Sequence, residues 1–210
     1  MINTANQTLI LDCDGTCYPL PSNFRQIWQR SLQDTMAAWN VKPESFIQTH
    51  ESLRHKHPGI MNTVLALCGG NMLRFYQFTD DCFGRIDYTF IQPNLALGAR
   101  LRQMKGTTCL WSNNCRSHVQ RVWNRLFPKE KPYIPTFTVE TTYDGHWFHP
   151  KNAPDGFRRF CAIWGLEPAQ SVMLDDTPEI LDRAAQFGLK TRLVNRQKPL
   201  LVHLNELTRV

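Results

Sequence analysis

Directly after a short apolar run, Thr8 to Leu11, the chain reads Asp12-Cys13-Asp14-Gly15-Thr16. Carboxylates at i and i+2 leaving a strand end point the same way. Asp12 and Asp14 are therefore expected to hold a divalent cation that neither would bind well alone. Gly15 lets the backbone approach an anion, and its N–H with that of Thr16 could help cradle a phosphate. A second acidic pair, Asp175-Asp176, follows another apolar run, Ser171 to Leu174. Held beside the first pair it would be repelled unless a cation neutralised the charge, so two acidic pairs on one sheet make a metal site a specific expectation. Ser112-Asn113-Asn114 closes a third run and offers a hydroxyl, amides and backbone N–H groups to an anionic oxygen. Offsetting phosphate charge also calls for a lysine. Lys151, in His149-Pro150-Lys151-Asn152-Ala153-Pro154, precedes a helix at the edge of that region, although its context alone would not select it.

Each motif has a plainer reading. Asp-x-Asp-Gly-Thr is a common turn. Asp175-Asp176-Thr177-Pro178 suits a helix N-terminus, with Asp or Thr as cap and Pro in the first turn. Ser112 fits a turn, and Lys151 a solvated loop. What favours chemistry is order, because the motifs fall successively at the ends of expected strands.

Those strands are short, apolar and β-prone: Thr8 to Leu11, Thr107 to Trp111, Phe137 to Val139, Ser171 to Leu174 and Thr191 to Val194. Between the later ones lie helical patterns over Leu95 to Met104, Ser117 to Leu126, Pro154 to Trp164 and Pro178 to Phe187, the last stopped by Gly188. Strand then helix, repeated, predicts an α/β fold, a parallel sheet flanked by helices. From about Pro19 to Gln92 only helical patterns occur, including Phe24 to Met36, Phe46 to Leu53 and Ile60 to Leu67. The expected organisation is a core of residues 1–18 and 93–210 with an all-helical insertion at 19–92. Such an insertion would sit over the carboxyl ends of the strands, where ligands bind in open α/β sheets, as a candidate lid.

The chain has 210 residues, 42% of them hydrophobic and 20% charged, which excludes disorder and allows one core plus an insert. Its net charge of +6 is spread along the chain without a sustained basic run, which is compatible with anionic substrates and argues against a nucleic-acid face. No apolar run is long enough for a membrane span, and the first residues lack the pattern of a signal peptide, which predicts a cytoplasmic protein without a membrane partner. Seven scattered cysteines form no CxxC knuckle, so neither a zinc nor a disulfide framework is expected.

Asp12-Cys13-Asp14-Gly15-Thr16, Ser112-Asn113, Lys151 and Asp175-Asp176 resemble, in order, the four motifs of the haloacid dehalogenase (HAD) superfamily, over about residues 8 to 195. Cys17-Tyr18-Pro19-Leu20, Asp87-Tyr88 with Gln92-Pro93-Asn94, and Ser112-Asn113 with His118 look like its pyrimidine 5′-nucleotidase-like branch. The resemblance implies a Rossmann-like HAD core with a helical cap, acting as a Mg2+-dependent phosphatase on a small phosphorylated metabolite, a nucleoside 5′-monophosphate among the candidates. By the same resemblance Asp12 is the nucleophile and Asp14 the acid–base residue. Ser112 hydrogen-bonds the phosphoryl oxygens, and Lys151 offsets charge. Asp175 and Asp176 complete the metal site with Asp12 and the Asp14 backbone carbonyl. Cys13 stands where the family carries a bulky hydrophobe, a thiol beside the nucleophile that oxidation could reach. A phosphoprotein phosphatase and a non-catalytic binding module remain as alternatives. Leaving-group contacts are expected from the insertion, with Arg25, Gln26, Arg30, the His50-to-His57 cluster, Arg74, Tyr76 and Gln77 as candidates. Trp28, Trp39, Phe75 and Phe78 could stack a base or pack the core.

Overall fold

The computed structural model describes residues 7–104 and 108–207. Residues 1–6, read above for a leader, and Thr107, expected to open the second strand, lie outside the described residues. Five parallel strands, β1 (Thr8–Leu11), β2 (Thr108–Trp111), β3 (Thr136–Phe137), β4 (Ser171–Asp175) and β5 (Lys190–Leu193), form one sheet in the order β3-β2-β1-β4-β5. The α/β class expected from the sequence is the one observed.

Strand alternation divides the interior in two. Leu9, Leu11, Leu110, Val172 and Leu174 face one side, and Ile10, Cys109, Trp111 and Met173 the other. The second side is covered by α7 (Gly156–Trp164) and α8 (Pro178–Gln186), through Phe157, Phe160, Ile180, Leu181 and Ala184. On the first side lie α5 (Leu95–Gln103), α6 (Arg116–Leu126) and α9 (Leu200–Leu207). With apolar cover on both faces, β1, β2 and β4 are nearly continuously buried, as parallel strands require.

Several boundaries differ from the sequence reading by one to three residues, and two of the differences have a local cause. The run Phe137 to Val139 does not continue as a strand, because the Thr138 N–H donates to Thr141 Oγ1 at 3.1 Å and turns residues Val139–Thr142 into a short 3-10 helix. The helix expected from Pro154 begins at Gly156, because Ala153 N–H donates to Pro150 O at 2.8 Å and holds the preceding residues in a turn.

Between β1 and α5 lie α1 (Phe24–Ala38), α2 (Pro43–Leu53), α3 (Ile60–Leu67) and α4 (Met72–Gly84), followed by a single 3-10 turn at Tyr88–Phe90. In this segment α1 packs on α4 and α2 on α3, while α4 also leans on α6. Its Leu32, Met36, Phe75 and Phe83 belong to the same apolar cluster as Leu9 and Leu11, so its interior is continuous with that of the sheet. Among the described residues no helix is long and apolar enough to cross a membrane.

One buried side chain fastens the helical segment to the loop before α7. Asn62 of α3 donates from Nδ2 to the Phe148 carbonyl at 3.0 Å and accepts the Phe148 N–H on Oδ1 at 2.8 Å, as a neighbouring strand would. His57 stacks on Trp147 with ring centroids 4.2 Å apart, and Phe75 packs on Phe148. Removing the amide strands a buried N–H and a buried carbonyl, each costing about 1–3 kcal/mol. Asn62→Ala is therefore expected to lower unfolding free energy by about 2–4 kcal/mol in a urea titration.

Candidate active site

The strand ends bring the expected acids together. The Asp12 N–H donates to Leu174 O at 2.9 Å, which extends the β1–β4 pairing one residue past β1 and sets Asp12 beside Asp175. Lys151 Nζ reaches both carboxylates, at 2.5 Å from Asp12 Oδ1 and 2.9 Å from Asp175 Oδ2, and all three side chains are buried. Three local features bring the lysine there. Its backbone N–H donates to Asn113 Oδ1 at 2.8 Å. The α7 backbone packs so closely that a Cβ on Gly156 would lie 2.1 Å from the Pro150 carbonyl oxygen. Beneath the ammonium, the Trp111 ring centroid is 5.8 Å from Nζ, and that ring stacks on Phe160.

Asp176 completes the cluster: one carboxylate oxygen from each of Asp12, Asp175 and Asp176 lies within 4.8 Å of the others. Gly15 is what lets the loop after β1 pass so near. It has φ +81°, and a Cβ there would lie 1.9 Å from Asp176 Oδ2.

One ammonium faces this group of carboxylates, and the negative charge is in surplus. Burial, helped by the charges of Asp175 and Asp14, pushes the Asp12 carboxyl well above its ordinary range against the pull of Lys151. Asp176 is likewise raised, by burial and by Asp175. Lys151 moves up as well, since Asp12 and Asp175 outweigh the burial that would lower it. Carboxylates held close and partly starved of counter-charge are a hard, all-oxygen donor set, which fits Mg2+.

The Asp14 side chain lies outside this set, contrary to the expectation that it points the same way as Asp12. Three partners draw it aside. Oδ1 accepts hydrogen bonds from Tyr18 Oη and from His118 Nε2, the latter at 2.7 Å, and Oδ2 accepts one from Asn114 Nδ2 at 2.6 Å. Burial alone would raise the Asp14 carboxyl, but His118 and these hydrogen bonds prevail and lower it to about 2. Behind His118, Nδ1 meets Tyr88 Oη at 2.8 Å.

The residues read as phosphate ligands line the same region. Ser112 is buried, its N–H on the Phe137 carbonyl and its Oγ accepting from the Asn114 N–H. Thr16 has a buried hydroxyl without a hydrogen-bond partner among the described residues. Asn113 spends its side-chain oxygen on Lys151. Asp175 also makes the turn that the plainer reading anticipated, since its Oδ1 accepts the Thr177 N–H at 2.9 Å just before α8. Cys13 is fully buried, and burial raises its thiol far above the range where it would ionise, so it packs as an apolar side chain.

Of the candidates on the helical segment, Arg25, Gln26, Arg30, Arg74 and Gln77 are exposed. Phe75 and Phe78 are core residues. His50 pairs with Thr63. Tyr18, Tyr88 and His118 entered the sequence reading only through a resemblance, and Asn62 did not enter it. One local signal was present: Asn114 and His118 stand four apart on either side of the start of α6, close to the strand end that carries Ser112.

No family model matches the chain, and no curated protein matches it. Solved structures do. A HAD-like family hydrolase from Porphyromonas gingivalis shares 17% identity with a TM-score of 0.59, covering 98% of this chain and 99% of that one. The fold is the HAD fold. A CbbY variant from Rhodobacter sphaeroides, in complex with xylulose 1,5-bisphosphate, is 14% identical with a TM-score of 0.55 over 93% of this chain and 90% of its own. A variant of the HAD family enzyme bt-2542 from Bacteroides thetaiotaomicron, in complex with magnesium and inorganic phosphate, is 19% identical at 0.52, covering 90% and 94%. At these identities the likeness is one of fold, and it runs through nearly the whole of each HAD chain.

Protons and a cation compete for the raised Asp12 and Asp176 carboxyls. Below their folded pKa values these groups are protonated, so cation affinity falls as pH falls. Mg2+ is expected to raise the melting temperature measured by scanning fluorimetry, with the shift growing from pH 5.5 to pH 8 and vanishing in Asp175→Asn.

Proposed function

We propose that the protein is a Mg2+-dependent phosphomonoesterase working through an aspartyl-phosphate on Asp12. The observation that carries this reading is the convergence of Asp12, Lys151, Asp175 and Asp176 at adjacent strand ends, with Asp14 two residues beyond Asp12 on its own hydrogen-bonded mount. In the first step an Asp12 oxygen bonds to phosphorus, the ester P–O bond breaks, and the leaving oxygen takes a proton from Asp14. Water then attacks phosphorus and gives a proton to Asp14, the Asp12–phosphorus linkage breaks, and inorganic phosphate is released. A phosphate dianion beside Asp14 raises its pKa toward the protonated form that the first step needs.

Asp12, Asp175 and Asp176, with the Asp14 backbone carbonyl, would hold Mg2+, which when bound offsets the charge between nucleophile and phosphoryl group. Lys151 holds Asp12 by its charge and keeps it aimed. Ser112 and the backbone of Gly15 and Thr16 would take phosphoryl oxygens, and the orphaned Thr16 hydroxyl is available to do the same. Asn113 acts by holding the Lys151 backbone.

The substrate is a small phosphorylated metabolite, and the helical segment over the strand ends is its cap. The clasp of Asn62 on Phe148 supports a covered site over one open to a macromolecule. A cavity of about 670 Å3 beside Gly15 and Asp176, lined also by Tyr18, Asn94, Asn195 and Arg196, is the size of ordinary ligand sites. It has room for a nucleoside, as the nucleoside 5′-monophosphate reading suggested by the resemblance at Tyr18, Asp87-Tyr88 and His118 requires. The bound xylulose bisphosphate of the CbbY variant supports the sugar phosphate alternative.

With Mg2+ the purified protein is expected to hydrolyse p-nitrophenyl phosphate, and Asp12→Asn to abolish turnover while keeping a cooperative melt. Activity surviving that substitution would sink the mechanism. In a phosphate-release panel, signal from sugar phosphates without signal from nucleoside monophosphates would overturn the nucleotidase reading.

A further inference from the structure

The geometry points to His118 as the positioning residue for Asp14, acting through one hydrogen bond that selects which carboxylate oxygen can exchange a proton with substrate. This rests on the phosphatase reading above. An ionised carboxylate has about four lone-pair sites, two on each oxygen. On Asp14, Oδ1 is filled by Tyr18 Oη and His118 Nε2. Among the described residues Oδ2 takes only Asn114 Nδ2. One site on Oδ2 is left, and it is the one available to a leaving oxygen or an attacking water.

The histidine is built for this. Its side chain is wholly buried, and both ring nitrogens are engaged. Asp14 in its charged form only accepts, so Nε2 donates to it, while Nδ1 is held by Tyr88 Oη at 2.8 Å. Tyr88 is itself buried, and its carbonyl accepts from Arg125 Nε of α6 at 3.2 Å, which ties it to the helix that carries His118. Phe83 packs on the imidazole with centroids 4.8 Å apart, and Phe24 lies 6.4 Å away, so the ring cannot rotate freely. The chain Tyr88 to His118 to Asp14 thus aims the carboxylate without itself touching the reacting atoms.

The test is the dependence of kcat/KM on leaving-group basicity, measured with a series of substituted phenyl phosphates from p-nitrophenyl to phenyl. kcat/KM reports steps up to aspartyl-phosphate formation, in which only the more basic leaving groups need the proton from Asp14. General acid catalysis is worth ~10²–10⁴-fold, so partial misaiming by His118→Leu is expected to lower phenyl phosphate hydrolysis by ~10-fold or more and p-nitrophenyl phosphate by about 2–3-fold, steepening the plot. His118→Gln places an amide nitrogen near the former Nε2 and should restore the wild-type slope, while Tyr88→Phe should steepen it mildly. A parallel loss across the series in His118→Leu, or a slope that glutamine does not restore, overturns the role. If His118→Leu fails to fold by circular dichroism, the other two variants decide: a steep slope in His118→Gln or an unchanged one in Tyr88→Phe overturns it. Wild-type protein that hydrolyses none of the esters overturns the phosphatase reading and this role with it, whereas an active wild type with unmoved slopes overturns the role alone.

Discussion

Burying Lys151 takes an ammonium out of water at a cost of several kcal/mol, which only close, well-placed carboxylates can offset. Asp12 and Asp175 do so from neighbouring strand ends. Much of the surrounding architecture serves that meeting. β1 and β4 must be adjacent and in register for the two acids to stand side by side. The loop before α7 must descend far enough to deliver the lysine, which is why Gly156 lies against the Pro150 carbonyl and why Asn113 holds the Lys151 N–H. Below, Trp111 and Phe160 form an aromatic floor that keeps water from the ammonium. Even so, the carboxylates outnumber the lysine, and the residual negative charge is the property that makes the site receptive to a cation.

The same surplus explains why Asp14 stands apart. A further carboxylate turned into the cluster would add repulsion with no ammonium left to absorb it. It is instead satisfied by hydrogen-bond donors outside the cluster, Tyr18, Asn114 and His118. Two acids two residues apart therefore occupy opposite electrostatic regimes, one pushed up by burial among anions and the other pulled down by its donors. Such a separation of pKa values is how a pair of like side chains takes on different tasks.

How far this was legible in the sequence follows from how local each determinant is. β1 and β4 could be read because burial on both faces leaves an uninterrupted apolar run. β3 was overextended because its end is set by Thr138 and Thr141, polar residues whose contact does not interrupt the apolar pattern. Asp12, Asp14, Asp175 and Asp176 were visible as pairs at strand ends. Lys151 was not visible by its neighbours, since its partners lie 139 and 24 residues away and nothing within the loop marks it. The mount of Asp14 is hidden for the same reason: Asn114 and His118 are separated from it by 100 and 104 residues. Asn62 was unreadable because its partner is a backbone, which has no sequence signature.

The Asn62 clasp also bears on how such a protein could be rebuilt. An inserted helical segment invites treatment as a cassette, to be exchanged for another at its two crossing points. Here the segment shares its apolar interior with the sheet and grips Phe148 by an amide, three residues ahead of the catalytic lysine candidate. Tyr18 immediately before it and Tyr88 near its end support Asp14, the first directly and the second through His118. A chimera that replaced the segment together with its flanking turns would lose the partners that hold Asp14, so grafts should be cut inside Tyr18 and Tyr88 and should carry Asn62 with them.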